Sequence, residues 1–335
     1  MHEVSETRPV LVTGATGRIG KVVVADLLER GYSVRATTSK PAALGLPQAH
    51  ERLDWRQFDF MVDDGWDELV QDCCAVIHLA AELGKMERMQ RVNVDATREL
   101  AKACERQRVP VLCYVSTVSV YGSGLQRAID EASPVLTVEQ DIRSQYWALD
   151  YVRMYGRTKL AGELALKQIA NRTRYVIVRP AVVVDIGQMI GIRDWNPFKR
   201  LLAAHRHAHH VFVRDVSDVL IWFVEQELAG TGWGSQVEIY NIAEDDCPDP
   251  RHRDFMRKAF SISHDRRYIS LPVPGFADWL HDFLRFRTLP LRNPLWRMRF
   301  SNQRLKMAGY RFRYGMVNAQ RLALAALRAD SERIH

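Results

Sequence analysis

The sequence contains no long hydrophobic run. Its 335 residues are 47% apolar and 26% charged, and no apolar stretch approaches the roughly 18 residues that a membrane-spanning helix needs. The first eight residues are polar and charged, so we expect no secretory signal at this end. Together with the ordinary composition, these absences predict a globular protein of the cytoplasm.

Cysteine is scarce, and its spacing matches neither a metal site nor a redox motif. All but the last cysteine fall in stretches predicted to be helix or strand. We therefore interpret those as buried free thiols in a reducing compartment. The cysteines are Cys73, Cys74, Cys104, Cys113 and Cys247.

Acidic residues are few in the C-terminal quarter of the chain. Residues 251–335 hold 18 lysines and arginines against 6 aspartates and glutamates, in a chain whose net charge is +7. Such asymmetry can indicate an anionic partner, but no nucleic-acid-binding motif accompanies it. We therefore expect a solvated, arginine-rich face and no nucleic-acid partner.

A histidine-rich stretch raises the question of a metal site. Residues 205–210 read His-Arg-His-Ala-His-His, and alternating histidines on a strand share one face. No carboxylate or cysteine lies at ligand spacing in the sequence around them. We predict no metal site and expect a solvated loop or a loop at the rim of a pocket.

The chain is organised around a glycine-rich turn near its N-terminus. Residues 9–13 form a short apolar run typical of a strand buried on both faces, and residues 19–28 carry apolar residues at helical spacing. Gly14, Gly17 and Gly20 lie at this junction. Such a turn brings unpaired backbone N–H groups to the positive end of a helix dipole, which suits a pyrophosphate. Taken alone, the motif is also compatible with an ordinary strand-to-helix turn.

Further apolar strands alternate with helices in the first half of the chain. Strands are predicted at residues 32–37, 55–59, 75–81 and 111–117, and a long helix over residues 89–106. This alternation predicts an α/β fold, a Rossmann doubly wound parallel sheet with a small, mostly C-terminal α/β substrate lobe. His78 lies inside a predicted strand, and we interpret it as a hydrogen-bonded core histidine.

The second predicted strand ends without an acidic residue. Residues 37–40 read Thr-Thr-Ser-Lys, where a carboxylate would accept a hydrogen bond from an adenosine ribose 2′-hydroxyl and repel a 2′-phosphate. Hydroxyls and a lysine here favour NADP over NAD, and Arg18 and Arg35 are further cationic candidates. Asp59, after the third strand, is either an acceptor for the adenine amino group or a turn-capping residue.

A tyrosine and a lysine four residues apart lead into a helix further along. Because residues at this spacing share a helix face, Tyr155 and Lys159 can point into one site. A phenol with a pKa near 10 is a poor acid or base at neutral pH. A neighbouring ammonium favours the phenolate and lowers that pKa, so we expect Tyr155 to act as a general acid–base group.

At this point the chain resembles the extended short-chain dehydrogenase/reductase family, also called the NAD-dependent epimerase/dehydratase family. The ordered set of motifs covers nearly the whole chain. The matching stretches are residues 14–20 (GATGRIG), 78–81 (HLAA), 92–94 (VNV) and 115–122 (VSTVSVYG), Tyr155 with Lys159, and residues 178–180 (VRP), with weaker matches at 212–219, 240–242 and 308–314.

The resemblance implies roles for individual residues. Thr117 matches the catalytic hydroxyl of the family, Tyr155 the general acid–base tyrosine, and Lys159 the lysine that lowers the tyrosine pKa and binds the nicotinamide ribose. Asn93 matches a helix asparagine that supports the active site, although a structural hydrogen-bonding role suits it equally well. The predicted cofactor-binding set is Gly14, Thr16, Gly17, Arg18, Ile19, Gly20, Thr38, Ser39, Lys40, Asp59, Phe60, Leu79, Ala80, Ala81, Tyr155, Lys159, Pro180 and Val182.

Two departures from the nucleotide-sugar members of the family favour a less polar substrate. Those members often carry an asparagine two residues after the Arg-Pro proline, where this chain has Val182. Their Tyr-Gly-Pro motif is replaced by residues 184–187, Val-Asp-Ile-Gly. This apolar version looks more like the carbonyl-reductase and hydroxysteroid-dehydrogenase branches.

Candidates for the substrate pocket lie close in sequence to the catalytic residues. Tyr146, Trp147 and Tyr151 are bulky enough to wall an apolar pocket, although packing in the core is the alternative, and Ser119 shares a loop with Thr117. We assign residues 1–181 and about 211–242 to the NAD(P)-binding domain. Residues 182–210 and 243–335 then form the substrate-binding lobe. Its amphipathic segment at residues 271–284 is expected to pack on the cofactor domain, with a lid or a peripheral membrane contact left open.

The resulting hypothesis is a cytoplasmic, NADP-dependent oxidoreductase that interconverts a carbonyl and an alcohol on a small-to-medium, largely apolar substrate. Thr117 and Tyr155 would hydrogen-bond the substrate oxygen, and Tyr155 would transfer the proton. Two alternatives stay open: a nucleotide-sugar epimerase or dehydratase, and a non-catalytic NADP-binding regulator on the same fold. Members of the family often form dimers through a helix pair that includes the Tyr155 helix, so a homodimer is also left open.

Overall fold

The structure is a computed structural model that describes residues 8–39, 50–137, 150–196, 209–231, 235–249, 252–263, 284 and 297–334. Its strands are β1 (Val10–Thr13), β2 (Val34–Thr38), β3 (Leu53–Gln57), β4 (Ala75–His78), β5 (Val111–Val115), β6 (Ala128–Ile129), β7 (Arg174–Pro180), β8 (Val182–Val184), β9 (His210–Phe212), β10 (Val237–Ile242) and β11 (Arg299–Phe300). Its α-helices are α1 (Arg18–Glu29), α2 (Trp66–Val70), α3 (Met86–Gln90), α4 (Ala96–Gln107), α5 (Asp150–Ile169), α6 (Ile186–Ile190), α7 (Val213–Leu228), α8 (Arg253–Ser263), α9 (Gln303–Met307) and α10 (Met316–Ile334).

Seven of these strands form one parallel sheet in the order β10-β7-β5-β4-β1-β2-β3. The chain winds outward from β1 through β2 to β3, then returns to the other side of β1 and continues through β4, β5, β7 and β10. The direction of winding therefore reverses between β1 and β4, where ligands bind in sheets of this kind. The predicted Rossmann fold is confirmed.

Apolar side chains on both faces of the sheet bury it between two layers of helices. In β1, Val10 and Val12 face one layer with Val23 of α1 and Val216 of α7. Leu11 points to the opposite face, where α2, α4 and the end of α5 pack. Because successive side chains of a strand alternate between faces, a continuous apolar strand is what this two-sided burial requires.

The fourth strand ends at His78, earlier than predicted, and a side chain joins the pairing that follows. The hydroxyl oxygen of Thr13 accepts hydrogen bonds from the N–H groups of Leu79 (3.1 Å) and Ala80 (3.2 Å), and the N–H of Leu79 also donates to the backbone carbonyl of Thr13 (3.3 Å). As predicted, His78 is a hydrogen-bonded core residue: its ring contacts the hydroxyls of Thr13 (2.7 Å) and Thr97 (3.0 Å), and burial lowers its pKa to about 3.

The remaining described elements form a smaller region beside the sheet. Two short parallel pairs, β6 with β11 and β8 with β9, lie here. Met189 of α6, Phe255 and Phe260 of α8 and Met316 of α10 share a separate apolar cluster. These elements include parts of the predicted substrate lobe, whose boundaries stay a prediction.

The cysteines and the hydropathy of the helices bear on two predictions from the composition. Cys73, Cys74, Cys104 and Cys113 are buried free thiols, as predicted, and Cys247 is free and half-buried. Among the described helices, none combines the length and the apolar composition needed to cross a bilayer.

Candidate functional site

A cleft of about 700 Å³ opens at the carboxyl ends of the central strands. It runs from the turn after β1, past the ends of β2 and β4, to the turn after β7. The structure thus brings together residues from distant parts of the chain that the sequence argument had singled out. Those lining the cleft are Gly14, Thr16, Gly17, Arg18, Ile19, Gly20, Thr38, Ser39, Asp59, Phe60, Leu79, Ala80, Ala81, Thr117, Tyr155, Pro180 and Val182.

The glycine-rich turn has no room for side chains at two of its positions. Gly14 has φ +65°, and a Cβ there would lie 2.7 Å from the backbone nitrogen of Ala80. A Cβ on Gly20 would lie 2.7 Å from the Cα of Ala15 and overlap the carbonyl oxygen of Gly14. Gly17 is the N-cap of α1, and no side-chain hydrogen bond caps that helix. The N–H groups of the first turn are therefore free of side-chain caps beside the cleft, as an anion-binding turn requires.

Thr117 lies at the end of β5 and is fixed by its own turn. Its hydroxyl oxygen accepts a hydrogen bond from the N–H of Ser119 (3.1 Å) as the N-cap of a short 3₁₀ turn, Val118–Tyr121. The preceding residue, Ser116, donates to Glu163 Oε1 (2.5 Å). The strand end that carries Thr117 is thereby anchored to α5, the helix that carries Tyr155.

Tyr155 is half-buried in α5 and lines the same cleft as Thr117. Burial raises the pKa of Tyr155 to about 12. The expectation that this pKa is lowered by Lys159 is therefore wrong for the structure described. The physical reason is that the phenol has lost solvent, while the Lys159 ammonium makes no hydrogen bond to it.

Lys159 lies one turn further along α5 and is 1% exposed. Its Nζ has no hydrogen-bond partner among the described residues and lies 4.0 Å from the ring centroid of Tyr114. Burial lowers the pKa of Lys159 to about 7, although the nearby charge of Glu163 opposes the shift. A buried ammonium with unused donors is suited to bind a hydroxyl-bearing ligand.

A buried ion pair holds α5 against the sheet behind the cleft. Arg179 of β7 donates to both carboxylate oxygens of Glu163, at 3.0 and 2.6 Å. The same guanidinium donates to the Tyr121 hydroxyl (3.0 Å). Since Glu163 also accepts from Ser116, this network joins the helix of Tyr155 to the strand end that leads to Thr117.

Asn93 lies behind the cleft, inside a π-helical turn at Arg91–Asp95. Its side-chain amide donates to the carbonyl of Glu82 (3.0 Å) and to the Thr158 hydroxyl (3.0 Å), and its oxygen accepts from the N–H of Glu82 (2.8 Å). The side chain thus joins the segment after β4 to α5, next to Lys159. This geometry is that of a positioning residue, whereas a direct catalytic role stays a prediction.

The end of β2 carries hydroxyls and no acid at the cleft. Thr38 and the exposed Ser39 both line it, and Lys40 lies outside the described residues. Asp59 lines the cleft too, and its Oδ1 accepts from the N–H of Met61 (2.9 Å). The turn-capping interpretation of Asp59 is therefore confirmed, and contact with adenine stays a prediction.

The two candidate arginines have different positions. Arg18 lines the cleft, where it donates to the carbonyl of Val183 (3.0 Å) and pairs with Asp185 (3.3 Å). Arg35 was a wrong candidate, because it points to the other face of the sheet. There it donates to the carbonyls of Leu69 (2.8 Å) and Gln71 (2.9 Å) at the end of α2.

Of the predicted substrate-pocket residues, the structure describes Tyr151 and Ser119. Tyr151 is 44% exposed in the first turn of α5, and Ser119 is half-buried; neither lines the cleft. Tyr146 and Trp147 lie outside the described residues. Four further residues that the sequence did not single out for the site also line the cleft: Glu82 and Leu83 shortly after β4, Arg88 of α3 and Val92 of the π-helical turn. For Glu82 and Leu83 the only signal was their position shortly after a strand end.

Of the histidine-rich stretch, the structure describes His209 and His210. His209 is buried, its ring contacting the Glu244 carbonyl (2.5 Å) and accepting from the N–H of Phe300 (3.0 Å). His210 begins β9 and its Nδ1 lies 2.7 Å from Nε2 of His252. The expectation of a solvated or rim loop is wrong for these two histidines, because β9 pairs with β8, His209 is buried and His210 is half-buried. His205 and His207 lie outside the described residues.

Comparison with known proteins places the glycine turn and Tyr155 within the range of one family model. Residues 10–187 match the family model described as "NAD dependent epimerase/dehydratase family". The bifunctional dihydroflavonol 4-reductase/flavanone 4-reductase of Pyrus communis is 28% identical over 198 residues, which cover 54% of this chain and 55% of that protein. The dihydroflavonol 4-reductase of Hordeum vulgare is 29% identical over 231 residues, or 62% of each chain. The matched region thus spans little more than half of these relatives.

Solved structures share the fold over nearly the whole chain. A short-chain dehydrogenase/reductase superfamily protein of Agrobacterium tumefaciens, determined with bound NAD, has a TM-score of 0.72 at 18% identity and covers 98% of this chain and all (100%) of its own. A human epimerase family protein determined with NADPH has a TM-score of 0.61 at 20% identity, with coverage of 96% and 99%. At these identities the similarity shows the fold alone.

Proposed function

Because the chain belongs to the NAD-dependent epimerase/dehydratase family, we propose that it is an NADP-dependent oxidoreductase that interconverts a carbonyl and an alcohol on a small-to-medium, largely apolar substrate. The observation that carries this proposal is the position of Thr117 and Tyr155 in one cleft, beside the apolar turn Pro180–Val183. Two hydroxyls at such a position suit a single substrate oxygen. The named relatives, dihydroflavonol reductases, support a reductase over other activities of the family.

The residues of the cleft fit a nicotinamide dinucleotide. The turn at Gly14 and Gly20 has the backbone geometry for a pyrophosphate, with no space for Cβ atoms. Lys159, one helical turn from Tyr155, does not itself line the cleft, but it keeps a buried ammonium without a partner among the described residues, which suits the hydroxyls of a ribose. When bound, the dinucleotide supplies or accepts the hydride.

Tyr155 manages the proton in this proposal. With its pKa raised to about 12, the phenol is protonated at neutral pH. It can therefore donate a proton to the oxygen of a carbonyl as that oxygen gains charge, and Thr117 orients the same oxygen. Lys159, whose pKa is lowered to about 7, can hold or release a proton near neutral pH in the same helix.

The preference for NADP over NAD is proposed from the end of β2. Thr38 and Ser39 place hydroxyls there, and no described acidic residue follows directly on the strand. A 2′-phosphate would meet no repulsion at this point. The buried free cysteines support a cytoplasmic location for the reaction.

The preference for an apolar substrate is proposed from the exposed side chains of the cleft. Leu83 and Val182 are 56% and 49% exposed, yet both line the cleft. Apolar groups left open to solvent within a concave site are typical of binding sites for apolar ligands. We therefore propose aromatic or alicyclic ketones of about the size of a flavonoid as the substrate class.

The test is consumption of NADPH with a panel of aromatic ketones that includes dihydroflavonols. We expect NADPH oxidation in step with alcohol formation. Tyr155→Phe should lower kcat about 10²–10⁴-fold while NADPH binding, followed by fluorescence, is retained. Tyr151→Phe, which alters an exposed tyrosine of the same helix outside the cleft, is the matched control and should leave kcat unchanged.

Two outcomes would contradict this function. Interconversion of nucleotide sugars without net change in cofactor absorbance would identify an epimerase. Tight NADPH binding with no turnover of any substrate, together with a biological role that survives Tyr155→Phe, would identify a regulator.

A further inference from the structure

Three potential metal ligands meet beside the cleft, and none of them lines it. They are His210 at the start of β9, Glu244 just after β10, and His252 immediately before α8. One ligand atom from each lies within 4.8 Å of the other two. These residues come from separate stretches of the chain, so their convergence is a product of the fold.

The distances within this His–Glu–His cluster (His210, Glu244 and His252) are close to those of a metal site. Nδ1 of His210 lies 2.7 Å from Nε2 of His252, which lies 3.4 Å from Oε1 of Glu244. Ligand atoms bound tetrahedrally to zinc at about 2.0–2.1 Å lie about 3.3 Å apart. An outward movement of about half an ångström by the two imidazoles would make room for the ion.

The cluster also contains a buried oxygen that the protein itself does not satisfy. Glu244 is 7% exposed and His252 is 9% exposed. Oε2 of Glu244 has no hydrogen-bond partner among the described residues. An unpartnered carboxylate oxygen in the interior is costly, and a cation would remove that cost.

Two further side chains lie at the outer ring nitrogen of His252. On the far side of His252, Nδ1 lies 2.7 Å from the side-chain nitrogen of Gln320 in α10 and 3.6 Å from Sγ of Cys247. Rotation of the Gln320 amide by half a turn presents its oxygen, which accepts the Nδ1 proton and leaves Nε2 free for a metal. Cys247 lies on this far side and is outside the cluster of ligand atoms.

We propose that His210, Glu244 and His252 bind one divalent transition-metal ion, with zinc the best match to two imidazoles and a carboxylate. Three protein ligands leave a fourth position for water. The ion would tie β9 to the segment after β10 and to α8. Because His210 is the register partner of Val182 in the β8–β9 pair, the site braces from behind a strand that lines the cleft.

The test uses the full chain without a histidine tag, after treatment with a chelator and dialysis. Zinc titrated against a competing chromophoric chelator should bind at one ion per chain and raise the Tm by several degrees. Cobalt in place of zinc should produce the visible absorption of a four-coordinate site. Elemental analysis of the washed protein gives the stoichiometry.

Variants separate this site from adventitious binding. Glu244→Gln and His210→Asn should each abolish stoichiometric zinc binding, and Gln320→Ala should weaken it about 10–100-fold. His50→Asn, at an exposed histidine, and Cys247→Ser should leave the stoichiometry unchanged. Circular dichroism at a temperature below the Tm checks that each variant is folded. If only one of Glu244→Gln and His210→Asn folds, that variant alone decides the test.

Three results would overturn the proposal: substoichiometric zinc in the wild-type protein, zinc binding that survives Glu244→Gln or His210→Asn in folded protein, and loss of binding in His50→Asn. In the first case, the two imidazoles share a proton and no metal site exists.

Discussion

The ammonium of Lys159 lies 4.0 Å from the ring centroid of Tyr114 and has no hydrogen-bond partner among the described residues. The interaction of a cation with a ring face offsets only part of the cost of burying that charge. As a result, the pKa of Lys159 falls to about 7 from its ordinary value of 10.5. Lys159, the residue proposed to bind the ribose, thus has a buried ammonium that hydrogen bonds to the hydroxyls of a ligand would stabilise.

This relationship predicts an unusual dependence of stability on pH. Between pH 7 and 10.5 the unfolded chain keeps the Lys159 proton and the folded protein releases it, so this group makes folding more favourable as the pH rises. From pH 7 to 9 the gain is about 2 kcal/mol. Lys159→Met should remove this pH dependence. The free energy of unfolding of the variant should therefore rise relative to that of wild type as the pH falls.

Chemical denaturation of both proteins at pH 7 and pH 9 measures this difference. Lys102→Met, at an exposed lysine paired with Glu99 on α4, is the control and should change stability equally at both pH values. An identical pH dependence of wild type and Lys159→Met would show that the ammonium is not destabilised by burial.

The glycine turn predicts a second result. Gly20→Ala would place a Cβ 2.7 Å from the Cα of Ala15 and against the carbonyl oxygen of Gly14, so α1 must shift away from β1. We expect a loss of about 1–3 kcal/mol in the free energy of unfolding and a marked loss of NADPH affinity. Urea denaturation and fluorescence titration measure the two effects.

Gly191→Ala is the matched control for this substitution. A Cβ on Gly191 meets no atom of the described residues within 4 Å, and the φ of Gly191, −62°, is helical. It should cost little stability and leave NADPH affinity unchanged. Equal effects of the two substitutions would show that the close contact at Gly20 does not constrain the turn.

The buried pair of Glu163 and Arg179 predicts a third result. Glu163→Gln leaves the Arg179 guanidinium, whose side chain is 3% exposed, without its countercharge. Removing one partner of such a pair costs about 3–5 kcal/mol. Asp67→Asn removes the carboxylate that Arg106 binds at the surface, where both side chains are well exposed, and should cost about 0–1 kcal/mol. Thermal or urea unfolding compares them, and similar losses in the two variants would contradict the stabilising role of the buried pair.

Much of the fold could be predicted from the sequence because the central strands are apolar on both faces. A continuous apolar run such as Val10, Leu11 and Val12 is typical of a strand buried on both faces of a sheet. The alternation of such strands with helices then predicts a doubly wound sheet. The helical spacing of Tyr155 and Lys159 was equally readable. The contact of the Lys159 ammonium was not, because it depends on Tyr114, a residue of β5 brought in by the fold.

What the sequence could not reveal depends on contacts between distant segments. Arg35 follows Val34 on β2, and strand alternation turns it to the opposite face, where the last carbonyls of α2 are its acceptors. The N–H groups that follow β4 bond to the side chain of Thr13, which lies on another strand. Local spacing likewise gave no carboxylate for His210, although the fold places Glu244 beside it.

The end of β2 predicts a change of cofactor preference. Ser39 is exposed at the cleft and has no acidic neighbour on the strand. Ser39→Asp introduces a carboxylate where a 2′-phosphate would lie, and repulsion between like charges at about 4 Å costs about 1–4 kcal/mol at a protein surface. We expect the affinity for NADPH to fall at least about tenfold relative to that for NADH.

Ser39→Asn separates charge from shape in this comparison, since the amide has nearly the size of the carboxylate. Fluorescence titration of NADPH and NADH with both variants gives the ratio of affinities. That ratio should change in Ser39→Asp and stay close to wild type in Ser39→Asn, and it should recover as added salt screens the new charge. Equal changes in both variants would mean that the side chain acts by its bulk, and an unchanged ratio in both would place the 2′-phosphate away from this strand end.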